Sequence, residues 1–522
     1  MGIVELIRAV TTNIPVQVYP VLTVFFLLVF FVYYVKILRP RRGTSEWIDM
    51  ELHKPNLNFF VTRHPLEVKD IAPLLIITAI FMFLAVFNLG HTTPVDVTAA
   101  IASPGEFVSH MSDMYFDEVF FVRTAVEHIE LLPPFETTHP PLGKEIIASS
   151  ILLFGMSPFG WRLMGAILGV VMLIVMYLFI KGMFGKTAIA VCGTLLLGFD
   201  FMRFVQSRLA TVDTFLVLFI LLAFYFMYRH VTTDPDAPLQ KSLVPLAFSG
   251  FFFGLSFAVK WIGFFAGFGL LVIYAIRLVQ LGIHYKNTKN SGFVSYLTKT
   301  LLWSVLFFVV IPLKIYYITY IPYGLVQGMT IAGGMLWDSE YFRLVLDNQI
   351  LMFRYHSIYV IGAEHPFSST WWQWVFNTRP VLYVNTHAGG TRATFGAFGN
   401  PVVWWGGLLA MLTMLIRVFT HRDGKALFIL IGYLANLLPW LTVTRILFAY
   451  HYFPSVLFIV LAFAHIFNTM FERKRNFYKL AVYGYTALAG VVFAMFYPSI
   501  SGMYMPFWYY TNLIRWLGSW PF

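Results

Sequence analysis

The sequence is poor in charge and in cysteine, and both shortages exclude classes of protein. Charged residues make up 12% of its 522 positions, about half the share usual in soluble proteins, so a water-soluble enzyme is excluded. The formal net charge is +11, but the basic residues lie between apolar runs rather than on one soluble face, which excludes a nucleic-acid binder. Cys192 is the only cysteine, so a disulfide framework and a multi-cysteine metal site are excluded as well.

Apolar residues are abundant instead, at 59% of the chain. A membrane-spanning helix needs roughly 20 mostly apolar residues, and we find about twelve such runs. They predict an all-α polytopic membrane protein with about 12 transmembrane helices. The predicted spans are Val18–Val35, Ile71–Gly90, Leu163–Ile180, Thr187–Phe199, Thr214–Tyr228, Ser242–Val259, Trp261–Ile276, Thr300–Tyr320, Pro401–Ile416, Ala426–Thr444, Ile446–Phe467 and a run within Leu480–Ile514.

The distribution of Lys and Arg predicts the orientation of these spans. Alternate loops carry most of the basic residues, beginning with the stretch from Lys36 to Lys69, and such loops are normally cytoplasmic. Both termini are then outside. Two long loops, about His91–Trp161 and Ile321–Asn400, are also outside and are expected to contain interfacial helices. Residues 1–70 are interpreted as an extra N-terminal helix with a basic linker, and residues 71–522 as one membrane domain.

The first outer loop contains two consecutive acids, Asp117 and Glu118. Apolar residues around them follow helical spacing, and neighbouring side chains on a helix point about 100° apart. The two acids therefore cannot both face one reacting atom, so one would be a base and the other a structural partner. The alternative is a pair of solvated acids on a surface helix.

A second motif runs from His139 through Pro140 and Pro141 to Lys144. The two prolines make a stiff corner that could position His139 and Lys144 as donors for an anion, although a plain loop-to-helix turn would look similar. Further polar residues lie at predicted outer helix ends, where ionisable groups either serve a function or pair within the membrane. They are Arg162, Asp200, Arg203, Gln206, Arg208, Asp213, Lys260, Arg445 and His451.

The second outer loop adds a tryptophan cluster, Trp371, Trp372 and Trp374. Such a cluster is typical of an interfacial aromatic belt, and a platform for sugar or lipid is the alternative. The histidines of the two outer loops form no ligand pair with the spacing of a metal site. A metal is therefore not expected.

Taken in order, these motifs resemble those of the protein O-mannosyltransferases, a family of GT-C glycosyltransferases that use a lipid-phosphate sugar donor. The resemblance covers about residues 70 to 500, and the second outer loop is too short for the soluble MIR domain of the eukaryotic members. The motifs that carry it are Asp117-Glu118, His139-Pro-Pro-Leu-Gly-Lys144, Phe159-Gly-Trp-Arg162, Gln206-Ser-Arg208 to Asp213, Val259-Lys260-Trp261, His365-Pro366, Gly399-Asn-Pro401 and Leu438-Pro-Trp440 to Arg445 and His451.

The resemblance implies a GT-C fold and transfer of mannose, with inversion, from a dolichyl- or polyprenyl-phosphate carrier to Ser or Thr hydroxyls of exported proteins. Asp117 would be the base and Glu118 a supporting acid. The expected partners are this donor, an extended Ser/Thr-containing acceptor, membrane lipids and the secretion machinery. No cofactor is expected, and the active site would face outward from the plasma membrane. Candidate residues for the donor phosphate or substrate are His139, Lys144, Arg162, Gln206, Arg208, Lys260, Arg445 and His451. For Arg162, Arg208, Lys260, Arg445 and His139, a role in the fold around the phosphate is the alternative.

Two other functions are compatible with a protein of this class. A related GT-C transferase could move a lipid-linked sugar to a lipid or glycan, as the aminoarabinose transferases do. A transporter or lipid flippase would be expected to show inverted repeats with broken helices in matching halves, and the sequence has no such pairing.

Overall fold

The protein is described by a computed structural model that covers residues 63–91, 113–473 and 475–522. The predicted span Val18–Val35 and most of the basic linker lie outside these described residues. Eighteen α-helices and three short strands occur in the described part, and they are numbered here along the chain. The helices are α1 Val68–Val86, α2 Glu118–Glu130, α3 Leu142–Phe154, α4 Pro158–Phe184, α5 Thr187–Gly198, α6 Phe201–Gln206, α7 Asp213–Val231, α8 Leu239–Val259, α9 Gly263–Asn287, α10 Phe293–Val305, α11 Ile311–Ile318, α12 Ile321–Val326, α13 Ser339–Arg354, α14 Trp371–Val375, α15 Pro401–His421, α16 Gly424–Leu437, α17 Phe453–Glu472 and α18 Asn476–Ser501.

Ten segments of the described chain are long and apolar enough to cross a membrane. They are α1, α4, α7, α8, α9, the run from α10 to α12, α15, α16 extended to Leu441, α17 extended back to Ala449, and α18. The predicted run Thr187–Phe199 is also helical, as α5, but it has only 12 residues. The helical bundle predicted from hydropathy is therefore confirmed over the described residues.

Helix α4 illustrates how local sequence sets these boundaries. Its first residue is Pro158, which suits an N-terminal position that needs no N–H donor, and the Ser157 side chain before it accepts a hydrogen bond from Gly160 N at 3.1 Å. The helix ends at Gly185, whose φ of +75° is readily adopted by glycine. Between these ends, 27 mainly apolar residues form one of the most buried helices of the bundle.

The helix ends that carry the predicted cytoplasmic charges lie together. Lys181, near the end of α4, contacts Glu67 and Asp70 at the start of α1, each at 2.9 Å. The Lys425 ammonium, at the start of α16, donates to the carbonyl of Met183 at 2.7 Å. These contacts gather the predicted inner loops at one end of the bundle.

The two outer loops pack at the other end and contain more than helices. Strands β1 (Val381–Ala388) and β2 (Thr391–Ala397) form an antiparallel hairpin, and β3 (Met505–Pro506) pairs with β2. This small sheet is not among the elements predicted from the sequence. Helix α13 follows the expected interfacial pattern, because its outward side exposes Phe342, Leu346 and Ile350 while its other side is buried.

Candidate functional site

Asp117 lies immediately before α2, at the turn that leads into the helix. The preceding Phe116 has a φ of +50°, an uncommon backbone conformation for a residue with a side chain. The Asp117 side chain makes no capping hydrogen bond at this helix start, and no described residue donates to its half-buried carboxylate. Burial raises the pKa of Asp117 to about 7, against the opposing charge of Lys260. A carboxyl with this pKa is suited to accept a proton near neutral pH.

Glu118 is in the opposite situation and is completely buried. Its carboxylate accepts two hydrogen bonds from Arg162 at 2.8 and 2.7 Å, and also accepts from the backbone N–H groups of Ala210 and Tyr115 at 2.8 Å. Of the two neighbouring acids, Glu118 therefore has the geometry of the structural partner and Asp117 that of the base.

The guanidinium of Arg162 is fully used inside the fold. Besides Glu118, it donates to the backbone carbonyls of Leu89, His91 and Asp113 at 3.0 to 3.1 Å. An arginine side chain has five N–H donors, and these bonds occupy all of them. Arg162 thus leaves no N–H for a donor phosphate and holds the fold around the site, which is the second of the two roles considered for it from sequence.

Arg208 is likewise held by backbone carbonyls. Its guanidinium donates to four carbonyls at the C-terminal end of α1, those of Leu84, Ala85, Phe87 and Asn88, at 2.8 to 3.2 Å. A cation at this position compensates the unsatisfied carbonyls of a helix end. Arg208 is 4% exposed, so it too binds the fold rather than an open site.

Glu136, which the sequence analysis did not single out, organises the loop before α3. Its carboxylate accepts from the Lys144 ammonium at 2.8 Å and contacts His139 Nδ1 at 3.0 Å. Lys144 also donates to the carbonyls of Glu136 and His139 at 2.8 Å. Although burial acts in the opposite direction, the charge of Lys144 and the contact with His139 hold the pKa of Glu136 well below its usual range. Lys144 is completely buried and closes this loop from within.

A cavity of about 500 Å³ opens beside this loop, between α8, α9 and the end of α13. Three of the predicted residues line it, namely His139, Lys260 and Arg445. Its other walls are mainly aromatic, with Trp261 and Trp440 among the lining residues. Cations within aromatic walls suit a ligand that has both an anionic group and a sugar or apolar part.

Helix α2 connects Asp117 to the residues that line the cavity. Phe121, one turn after Asp117, contacts the ring of His139 with 5.5 Å between ring centroids. The charge of Lys260 lowers the pKa of Asp117. The Lys260 ammonium also donates a hydrogen bond to the Asp213 carboxylate at 3.0 Å. Asp213 therefore pairs with Lys260 and not with Arg208.

Among the described cations that line the cavity, Arg445 has the most N–H donors without a hydrogen-bond partner. Its only described hydrogen bond is from Nη1 to the neighbouring carbonyl of Ile446 at 3.1 Å, and no described carboxylate forms an ion pair with it. The side chain is half-buried and lines the cavity. Most of its N–H donors are thus free for an anionic ligand.

Gln206 and His451 lie in the walls around the site. Gln206 Nε2 donates to the hydroxyl of Tyr383 at 2.8 Å, and the ring of Tyr383 contacts Phe116 with 4.9 Å between centroids. His451 is buried against Trp374 and Trp440, with centroid distances of 5.8 and 4.5 Å. At least Trp374 is therefore part of the protein interior and not of an exposed belt.

The structure thus separates the predicted residues into three sets. His139, Lys260 and Arg445 line the cavity, and Asp117 lies within the electrostatic influence of Lys260. Lys144, Gln206 and His451 support the surrounding walls, whereas Glu118, Arg162 and Arg208 fix the outer loops to the bundle. Glu136 and the cavity residue His356 complete the site. Among the described residues, no group of three His, Cys, Asp or Glu side chains could hold a metal ion.

Comparison with known proteins places the chain in a class and then in a family. The fold is similar to that of a chain in the Saccharomyces cerevisiae protein O-mannosyltransferase Pmt1-Pmt2 complex bound to the sugar donor. The TM-score is 0.73 at 13% identity, over 92% of this chain and 94% of that one. This similarity shows that the protein has a GT-C fold.

Two sequence profiles match separate parts of the chain. The profile for dolichyl-phosphate-mannose-protein mannosyltransferase matches residues 147–322, and the one for the C-terminal four-helix membrane region of protein-O-mannosyltransferase matches residues 341–520. Together they span about two thirds of the chain. The chain belongs to the protein O-mannosyltransferase family, which confirms the resemblance seen in its motifs.

Bacterial relatives match over most of their length. The polyprenol-phosphate-mannose–protein mannosyltransferase of Mycobacterium tuberculosis is 25% identical over 439 residues, which are 73% of this chain and 80% of that protein. The enzyme of the same name from Mycolicibacterium smegmatis is 27% identical over 426 residues, 73% of this chain and 81% of that protein.

Proposed function

We propose that this protein transfers mannose from a polyprenyl- or dolichyl-phosphate carrier to Ser or Thr hydroxyls of exported proteins. The names of its relatives support a polyprenyl-phosphate-mannose donor and a protein acceptor. The observation that carries the proposal is Asp117, a half-buried carboxylate without a described hydrogen-bond donor, which feels the charge of Lys260, a residue that lines the same cavity as Arg445.

The reaction would be a single displacement at C1 of the mannosyl group. Asp117 takes the proton of the acceptor hydroxyl as the hydroxyl oxygen forms a bond to C1. The bond between C1 and the phosphate oxygen breaks, and its electron pair leaves with the polyprenyl phosphate. Because the leaving phosphate gains negative charge, it needs nearby cations rather than a general acid, and Arg445 and Lys260 fit this role.

The site is expected to work on the outer side of the plasma membrane. The cavity lies at the end of the bundle away from the basic contacts around Lys181 and Lys425, and basic loops are normally cytoplasmic. An exported chain would reach it in an extended state, before folding hides its hydroxyl groups. The secretion machinery is therefore the proposed source of the acceptor.

The test is mannosyl transfer by the purified full-length protein, with polyprenyl-phosphate-mannose and a peptide rich in Ser and Thr. Asp117→Asn keeps the size of the side chain but removes the base, so transfer should fall at least a hundredfold while donor binding and folding persist. Glu364→Gln is the matched control, because Glu364 is an exposed acid of the second outer loop. The control should transfer mannose at the wild-type rate.

The same assay separates the alternatives. Unimpaired transfer by the Asp117→Asn protein would remove Asp117 from its role as base. Transfer to a lipid or glycan, but to no peptide, would favour the related GT-C reaction with a different acceptor.

A further inference from the structure

The loop between α2 and α3 holds His139 in one orientation. On one side of the ring, Nδ1 contacts a carboxylate oxygen of Glu136 at 3.0 Å. On the backbone side, Lys144 binds the carbonyl of His139, and His356 Nε2 donates to the carbonyl of Thr138 at 2.9 Å. These contacts fix the orientation of the imidazole without a ligand in the cavity that it lines.

These contacts determine which ring nitrogen of His139 carries the proton. Glu136 is paired with Lys144, so its carboxylate is ionised and can only accept hydrogen bonds. Nδ1 must then be the donor in the contact with Glu136. In a neutral imidazole the other nitrogen, Nε2, keeps its lone pair and acts as an acceptor.

The second nitrogen is available to a ligand. The hydrogen-bond contacts of the His139 ring with described residues involve Nδ1, and none involves Nε2. Burial lowers the pKa of His139, although Glu136 opposes this effect, and the charges of Lys260 and Lys144 lower it further. The cavity therefore has one neutral acceptor at His139 next to two cations, Lys260 and Arg445.

We propose that His139 Nε2 accepts a hydrogen bond from a hydroxyl of the donor's sugar, and that Glu136 is the positioning residue that fixes this tautomer. This inference rests on the proposed function. A phosphate oxygen would repel the lone pair of Nε2, so the phosphate belongs with the cations. The acceptor's hydroxyl has a single proton, which Asp117 takes. Within the lipid-phosphate-mannose donor, the sugar hydroxyls are the only groups that can donate a hydrogen bond, and a contact with a donor group of the peptide is distinguished by its effect on the peptide KM.

The experiment compares donors with one hydroxyl removed. The purified full-length wild type and the His139→Phe variant are assayed with polyprenyl-phosphate-mannose and with its monodeoxy analogues. For the natural donor, His139→Phe should raise the donor KM about tenfold and leave the peptide KM unchanged. For one deoxy analogue, wild type and variant should have the same donor KM, because the hydrogen bond is already absent.

A matched control and a second variant keep the result interpretable. His387→Phe makes the same change at an exposed histidine of the hairpin and should behave like the wild type with every donor. His139→Gln restores an acceptor oxygen near the position of Nε2, and should recover part of the donor affinity if the Phe variant folds poorly.

Glu136→Gln tests the positioning role. Its neutral amide can either accept from or donate to Nδ1, so both tautomers of His139 become populated. The donor KM should then rise less than in His139→Phe, with the same deoxy analogue abolishing the difference from wild type. An equal loss with every donor in the Glu136 variant would show a purely structural role.

Two results would overturn the inference. One is that His139→Phe weakens all deoxy donors by the same factor as the natural donor. The other is that the peptide KM rises instead of the donor KM. Both require that the wild type transfers mannose, so they differ from a failure of the proposed function, in which the wild type itself would be inactive.

Discussion

Arg162 Nε and Nη2 donate to the two carboxylate oxygens of Glu118 at 2.8 and 2.7 Å, in a pair that is almost completely shielded from solvent. The pair joins the start of α2 to the start of α4, 44 residues further along the chain. Asp117 precedes the anchored residue directly, so its position is set by this ion pair although it takes no part in it. Of the two neighbouring acids, Glu118 therefore anchors the backbone, and this anchor positions Asp117.

Glu118→Gln should destabilise the protein, because it leaves a buried arginine without its counter-charge. Removing one partner of a buried ion pair costs about 3–5 kcal/mol, so the thermal unfolding midpoint in detergent should fall by several degrees. Glu130→Gln, at an exposed position on the same helix, should leave the midpoint unchanged. If Glu118→Gln abolished transfer at an unchanged midpoint, Glu118 would act on the substrate and not on the fold.

The transmembrane helices could be predicted from the sequence, because their burial in lipid requires long apolar runs whatever their neighbours are. The hairpin of β1 and β2 was missed, although a local signal exists. Gly389 and Gly390 join the strands and both have a positive φ, and two glycines between β-forming residues are typical of a tight hairpin. The loop is predicted to contain an interfacial helix and an aromatic belt, and two adjacent glycines in such a loop also fit an ordinary turn.

The candidate site could be predicted only in part. The order of the motifs predicted Asp117, His139, Lys260 and Arg445 as site residues. It could not distinguish an arginine that faces a cavity from one that binds backbone carbonyls. Arg445 and Arg208 differ only through their tertiary neighbours. Glu136 was missed for a related reason, since a lone acid in a loop has no pattern of its own until its contacts with Lys144 and His139 are known.

Transfer should depend on pH through Asp117. The pKa of this carboxyl is raised to about 7 by burial, and only the ionised form can accept the hydroxyl proton. The value of kcat/KM should therefore rise about tenfold per pH unit below 7 and become constant above it. Initial rates between pH 5 and 9 would measure this profile. A rate that does not change between pH 5 and 8 would mean that Asp117 titrates elsewhere or is not the base.

Replacing Lys260 should move that profile to higher pH. The charge of Lys260 lowers the pKa of Asp117, whereas that of Asp213 raises it. Lys260→Gln removes the first influence and leaves Asp213 unpaired, so the midpoint should rise by about one pH unit. Lys260→Arg keeps the charge and should keep the midpoint near that of the wild type. If the midpoint were unchanged in Lys260→Gln, the charge of Lys260 would not influence the pKa of Asp117, even if activity fell.

Arg445 should matter more for the transition state than for donor binding. The donor phosphate has one negative charge and the departing polyprenyl phosphate approaches two, so a cation beside it binds more strongly as the reaction proceeds. A hydrogen bond to a charged group contributes about 1.5–3 kcal/mol, and Arg445→Ala should therefore lower kcat/KM by about 10- to 150-fold. Most of this loss should be in kcat, with a smaller rise in the donor KM.

The comparison of three variants would check this role in steady-state assays with varied donor. Arg445→Lys retains the charge without the planar pair of donors, so its kcat should lie between those of Arg445→Ala and the wild type. Arg379→Ala is the control, since Arg379 is exposed and its hydrogen bond within the described part of the chain is to the carbonyl of Pro366. If Arg445→Ala raised the donor KM while kcat stayed constant, the guanidinium would hold the donor equally in ground and transition states, and the leaving phosphate would have to be stabilised by Lys260 instead.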